Sequence, residues 1–128
     1  MNALLDTHAF LWWLTANPKL SDKAKAVIED SSVIRYISSA TGFEITNKIR
    51  IGKLDFGQPI VENFDSILAD GGFDKLPLSM AHTFLAGQMV GVHKDPFDRM
   101  LAAQCKLENL SLISVDPAFQ EFGIDIIW

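Results

Sequence analysis

The sequence predicts an α/β protein built around a central, mostly parallel sheet. Three observations point that way. The runs at 2–5, 33–37 and 110–115 are apolar without strict alternation, as strands covered on both faces are. The first two run straight into segments with helical spacing, and the third into a short helical turn, which is how βαβ units read. The carboxylates Asp6 and Asp116 stand directly at strand ends, and Glu44 lies a short way past one.

Taken in order, Asn2-Ala3-Leu4-Leu5 predicts a first strand that stops at Asp6-Thr7-His8. Residues 9–14, rich in Phe, Leu and Trp, predict a mostly buried helix, ended by Asn17-Pro18. Ser21 caps a second helix with Ala24, Val27 and Ile28 on its inner face. Residues 33–37 predict the second strand. Thr41 and Glu44 fit a Ser/Thr-x-x-Glu capping box, and Gly52 suits the end of the helix that follows. Gln58-Pro59 opens a further helix that Gly71-Gly72 closes. Leu76-Pro77-Leu78 allows a short extended piece at most, and Ser79 caps a helix striped with Met80, Phe84, Leu85, Met89 and Val92. Asp95-Pro96 then starts a helix in the favoured way: an acid at the N-cap, Pro at the first helical position, and Asp98 in the first turn. Residues 110–115 predict another strand, ending in Asp116-Pro117, and 124–128 a last one.

Composition sets the bounds. At 128 residues, 48% hydrophobic and 21% charged, the chain reads as one domain over 1–128 with a substantial core. No apolar run is long enough to span a bilayer, and no secretory leader is evident, so the expected location is cytoplasmic. The lone Cys105 falls inside an apolar helix and reads as a packed small hydrophobe. A net charge of −5 argues against holding nucleic acid by bulk electrostatics. It does not exclude a nucleic-acid enzyme, because an acidic cluster becomes electropositive once it takes up divalent cations.

Asp6, Glu44, Asp98, Asp116 and Asp95 each have a local reading as helix-terminus residues. Their conjunction carries more. In a parallel sheet the carboxyl ends of the strands share one edge, so these acids converge there if the Asp98 helix starts beside the others. Crowded carboxylates raise one another's pKa, and hard divalent cations relieve the repulsion. Mg²⁺ takes oxygen ligands at about 2.0–2.1 Å and keeps several waters. An acid-only site of that kind suits phosphodiester hydrolysis. No cysteine–histidine pattern for zinc, no P-loop and no dinucleotide fingerprint is present.

The ordered set Leu4-Leu5-Asp6-Thr7-His8-Ala9-Phe10-Leu11-Trp12-Trp13, Phe43-Glu44-Ile45 with Lys48-Ile49 and Gly52-Lys53-Leu54, His93-Lys94-Asp95-Pro96-Phe97-Asp98-Arg99-Met100 and Asp116-Pro117-Ala118-Phe119 resembles PIN-domain proteins, more narrowly VapC toxins of bacterial toxin–antitoxin modules. The resemblance implies a three-layer α/β/α fold and a Mg²⁺- or Mn²⁺-dependent endoribonuclease. It also implies a homodimer silenced by a cognate antitoxin that lays a segment over the acidic cleft. Carried over residue by residue, it makes Asp6, Glu44, Asp98 and Asp116 the metal-binding and catalytic acids, with Asp95 either a further ligand or a helix cap. Thr7 and Ser114 would be hydroxyls that orient Asp6 and Asp116. Phe43 and Ser114 depart from the Trp and Thr that many relatives carry. Lys48, Arg50, Lys53, Lys94 and Arg99 are the candidate RNA contacts. The alternatives to weigh are a structure-selective DNA nuclease on the same fold and a protein-binding module without catalysis.

Overall fold

The computed structural model describes residues 1–128. Strands β1 (Ala3–Leu5), β2 (Arg35–Ser38), β3 (Asp74–Leu76), β4 (Ser111–Ile113) and β5 (Ile126–Ile127) form one sheet in the order β3-β2-β1-β4-β5. Every neighbouring pair is parallel, so the sheet expected to be mostly parallel is wholly so. The helices are α1 (Thr7–Leu14), α2 (Asp22–Ile28), α3 (Ser39–Arg50), α4 (Gly57–Glu62), α5 (Phe64–Gly71), α6 (Met80–Gln88) and α7 (Pro96–Glu108), with a 3-10 turn at Pro117–Phe122.

The central strand shows why its residues are unbrokenly apolar. Ala3 and Leu5 enter a core with Phe10 of α1, Ile28 of α2, Ile37 and Ile113. Leu4, between them, enters a second core with Leu101, Ala102 and Cys105 of α7, Leu112 and Phe119. The sheet is thus covered on both faces, and a polar residue in β1 would be buried whichever way it pointed. Each fully buried Leu in these layers contributes about 1.5–3 kcal/mol relative to an exposed one.

The order of the strands matters most for function. From β1 the chain runs outward through β2 to β3, then returns to the other side of β1 for β4 and β5. The reversal leaves a crevice at the carboxyl ends of β1 and β4, where ligands bind in open α/β sheets.

Three local expectations change. The Thr41–Glu44 capping box does not form, because Ser38 at the end of β2 caps α3 three residues earlier, accepting from the Ala40 N–H at 3.0 Å. Thr41 is consequently inside the helix and fully buried. The helix opened by Gln58-Pro59 is two short ones, α4 and α5, separated at Asn63, whose side chain donates to the Pro59 carbonyl at 2.8 Å. The extended piece near Pro77 lies slightly earlier, as edge strand β3, where Pro77 has no ladder bond to break. No helix is long and apolar enough to cross a membrane.

Candidate metal centre

Local chain chemistry places the acids. Asp6, directly after β1, is the N-cap of α1 and accepts from the Ala9 N–H at 2.8 Å. Asp116, after β4, caps the 3-10 turn by accepting from the Ala118 N–H at 2.9 Å. Asp95 caps α7, accepting from the N–H groups of Phe97 and Asp98 at 2.9 and 3.1 Å. Asp98 follows in the first turn of α7, and Glu44 points from the second turn of α3. All five line a single cleft of about 120 Å³ together with His8, Lys48 and Phe119. The cap role and the cleft role coexist because one carboxylate oxygen can take the backbone bond while the other faces inward.

The electrostatics match the crowding. Asp6 is buried, and desolvation pushes its carboxyl up, offset by hydrogen bonds from Ser114 and the Ala9 N–H. Asp98 is pushed up to about 6, first by burial and then by the nearby Asp95 and Asp6 charges, with His93 pulling the other way. Two side chains pair with acids of the cluster. Lys48 Nζ lies 2.8 Å from Glu44 Oε2, and His93 Nε2 lies 2.8 Å from Asp98 Oδ2.

Ser114 touches both acids expected of it. Its hydroxyl accepts from the Asp116 N–H at 3.1 Å and lies close enough to Asp6 to pull that carboxyl's pKa down. Thr7 does something different. Its hydroxyl meets that of Thr41 at 3.1 Å in the interior, tying α1 to α3 rather than orienting an acid. Of the candidate phosphate contacts, Lys48 lines the cleft, while Lys53, Arg50 and Lys94 are exposed. Arg99 is set aside. Its Nε and Nη1 donate to the Ala86 and His93 carbonyls at 2.8 Å, and its Nη2 to Met89, so three of its five N–H donors are committed to the backbone.

Residue-type reasoning passed over His93. Its ring nitrogen and carboxylate oxygens of Asp98 and Asp116 all fall within 4.8 Å of one another, the geometry needed to share a cation. The histidine is packed against Phe119 and Phe122, and its N–H donates to Glu121 Oε1 at 2.8 Å. The only sequence signal was its position five residues before Asp98, across the Pro96 turn.

The comparisons with known proteins bear on the fold and the family. No curated protein matches the chain in sequence. Among solved structures, VapBC2 from Rickettsia felis, bound to a DNA fragment from their promoter, is similar at a TM-score of 0.66 and 16% identity, covering 98% of this chain and 97% of that one. FitAcB from Neisseria gonorrhoeae is similar at 0.61 and 20%, covering 97% and 95%. VapBC-1 from nontypeable Haemophilus influenzae is similar at 0.64 and 16%, covering 98% and 96%. At these identities the likeness speaks for the fold. The sequence profile of the PIN domain matches residues 3–124, and with that span the chain belongs to the PIN domain family.

Proposed function

We propose that this chain, as a single domain over 1–128, is the endoribonuclease toxin of a toxin–antitoxin pair, cutting RNA in the cytoplasm with Mg²⁺ or Mn²⁺. The observation that carries the reading is the convergence of Asp6, Glu44, Asp98 and Asp116 on one cleft at the strand-order reversal, with Asp95 at its rim. The donor set fits a hard divalent cation, since carboxylate oxygens dominate it. His93 adds one nitrogen, which suits Mn²⁺ at least as well as Mg²⁺. Asp98, Asp116 and Asp6 would hold the ion, with Glu44 completing the ring and Asp95 serving mainly as the α7 cap. When bound, the ion supplies Lewis acidity at the scissile phosphate.

The protein's own part is orientation. Ser114 and the Ala9 N–H hold Asp6, and the Ala118 N–H holds Asp116. Lys48 pairs with Glu44, and with a cation on the acids its ammonium would be available to a phosphate oxygen. The raised pKa of Asp98 means that the site gives up a proton as it takes up metal.

Partners follow from the surface. Phe43, Met80 and Phe84 are each more than three-fifths exposed. Such side chains suit a homodimer and a cognate antitoxin, and the similar solved structures include VapBC2 bound to a DNA fragment from their promoter and VapBC-1.

The test is digestion of single-stranded RNA and flapped DNA side by side, with Mn²⁺, Mg²⁺ or EDTA. RNA cleavage that needs the metal and drops at least about 100-fold in Asp98→Asn and Asp6→Asn is expected. Cleavage undiminished in EDTA, or confined to DNA, would overturn the reading.

A further inference from the structure

Beside the acid cleft runs a larger groove of about 700 Å³, between α1 and the turn that follows α3. Its lining includes His8, Trp12, Lys48, Lys53 and Phe56. His8 and Lys48 also line the acid cleft, so the two depressions adjoin at these side chains. We propose that this groove is the track for the unpaired RNA strand flanking the scissile phosphate, and this rests on the nuclease reading above.

Charge is the first argument. The chain is acidic as a whole, yet Lys48 and Lys53 are the only charged side chains lining the groove. The turn after α3 brings them together: Gly52 takes φ 75°, and the Lys53 N–H reaches back to the Lys48 carbonyl at 2.8 Å. Only glycine adopts that φ without strain, so the fold itself returns Lys53 toward the cleft-lining lysine. Lys19 adds a further cation, with Nζ 5.8 Å from the Trp12 ring.

Aromatic surface is the second argument. His8 stacks on Trp12 at 5.7 Å and 26°, and His8 is exposed at the cleft side. Phe56 is 51% exposed, and although it holds the N-cap position of α4 its side chain makes no capping bond. Aromatic rings beside lysines are what a single strand needs: bases stack on the rings while the backbone follows the cations. A duplex cannot use such platforms, because its base faces are already stacked. Charge favours a polyanionic strand as occupant, since Lys53 lines the groove with no carboxylate paired to it. A strand whose phosphate sits among the acids must leave along some surface, and here a basic, aromatic one begins at His8 and Lys48.

The test uses the full chain in the Asp98→Asn background, so that RNA is bound and not cut. An unstructured, random-sequence RNA of about 12 nucleotides, labelled for anisotropy, is the probe, with a duplex of the same length beside it. Phe56→Ala and Lys53→Ala change exposed side chains and leave the core intact. Each is expected to weaken single-strand binding about tenfold while duplex binding stays unchanged, and the same substitutions in the chain that keeps Asp98 leave the Mn²⁺-induced rise in Tm at the parent value. Lys53→Ala also lowers the salt slope by about 0.7. Single-strand affinity within about twofold of the parent in both variants, where the chain with Asp98 intact cuts RNA with Mn²⁺, overturns the groove and leaves the nuclease standing. Variants that keep RNA affinity but lose a co-expressed antitoxin make the groove a protein-binding surface, which also overturns it. A parent chain that neither binds nor cuts RNA instead removes the nuclease reading on which the groove depends.

Discussion

His93 Nε2 stands 2.8 Å from Asp98 Oδ2, so the histidine before the Pro96 turn is joined to the acid after it. The contact is held from three sides: Glu121 accepts from the His93 N–H, Arg99 donates to its carbonyl, and Phe119 and Phe122 flank its ring. Because His93 lowers the Asp98 pKa against the burial that raises it, the pair sets the pH at which the site accepts a cation.

It follows that His93→Ala raises the Asp98 pKa further above about 6. The pH at which Mn²⁺ gives half its maximal thermal stabilisation is then expected to move upward. Titrating Tm against pH with and without Mn²⁺ measures it, and an unchanged midpoint would separate His93 from the acid.

The metal-free protein is expected to gain stability on mild acidification. Asp98, Asp6 and His93 all have raised pKa values in the folded chain. Between the ordinary carboxyl value and about 6, the fold holds a proton on Asp98 that the unfolded chain has released, so unfolding becomes easier as pH rises through that window. For His93 the contribution is complete below about pH 6.5 and fades as pH climbs through its raised value. Tm should therefore rise as pH falls from about 7.5 to about 5, and Asp98→Asn should flatten that slope. A slope of the same size in the variant would assign the effect elsewhere.

Arg99 is a clamp. It gathers the carbonyls of Ala86, Met89 and His93, from the end of α6 and the loop after it, onto α7, with the guanidinium 5.3 Å from the Phe122 ring. Charged hydrogen bonds of this sort each contribute about 1.5–3 kcal/mol, partly redundantly. Arg99→Ala should cost about 2–4 kcal/mol by urea denaturation, and Arg99→Lys should recover only a fraction, since an ammonium cannot span the three carbonyls. Equal midpoints for parent and Arg99→Ala would refute the clamp.

Cys105 is buried against the second core, and desolvation pushes its thiol up to about 12. It should resist thiol reagents at pH 8 in the native state and react only at the rate of unfolding. The unfolded thiol ionises near about 8.5, so stability is unaffected below that pH and falls as pH rises toward about 12. Cys105→Ala should remove that alkaline loss at the expense of a small cavity.

Much of this molecule is written in short-range signals. Asp95-Pro96 and Asp116-Pro117 announce helix starts because an N-cap acid and a Pro at the first helical position act through bonds two or three residues long. The unbroken apolar runs mark strands covered on both faces for an equally local reason. The acids at or just beyond the strand ends could be named from the chain alone, since any parallel sheet gathers those ends on one edge. The Thr41–Glu44 box misleads because two local signals compete: Ser38 lies nearer the end of β2, and Thr41 is drawn inward to Thr7, a partner 34 residues away. The order β3-β2-β1-β4-β5 depends on long-range packing, and that order opens the crevice between β1 and β4. The ring nitrogen of His93 against Asp98, the withdrawal of Arg99 from solvent and the meeting of groove and cleft at His8 and Lys48 all belong to the tertiary structure. Each depends on where a loop or helix end settles against residues distant in sequence, and no local pattern of residue types encodes that placement.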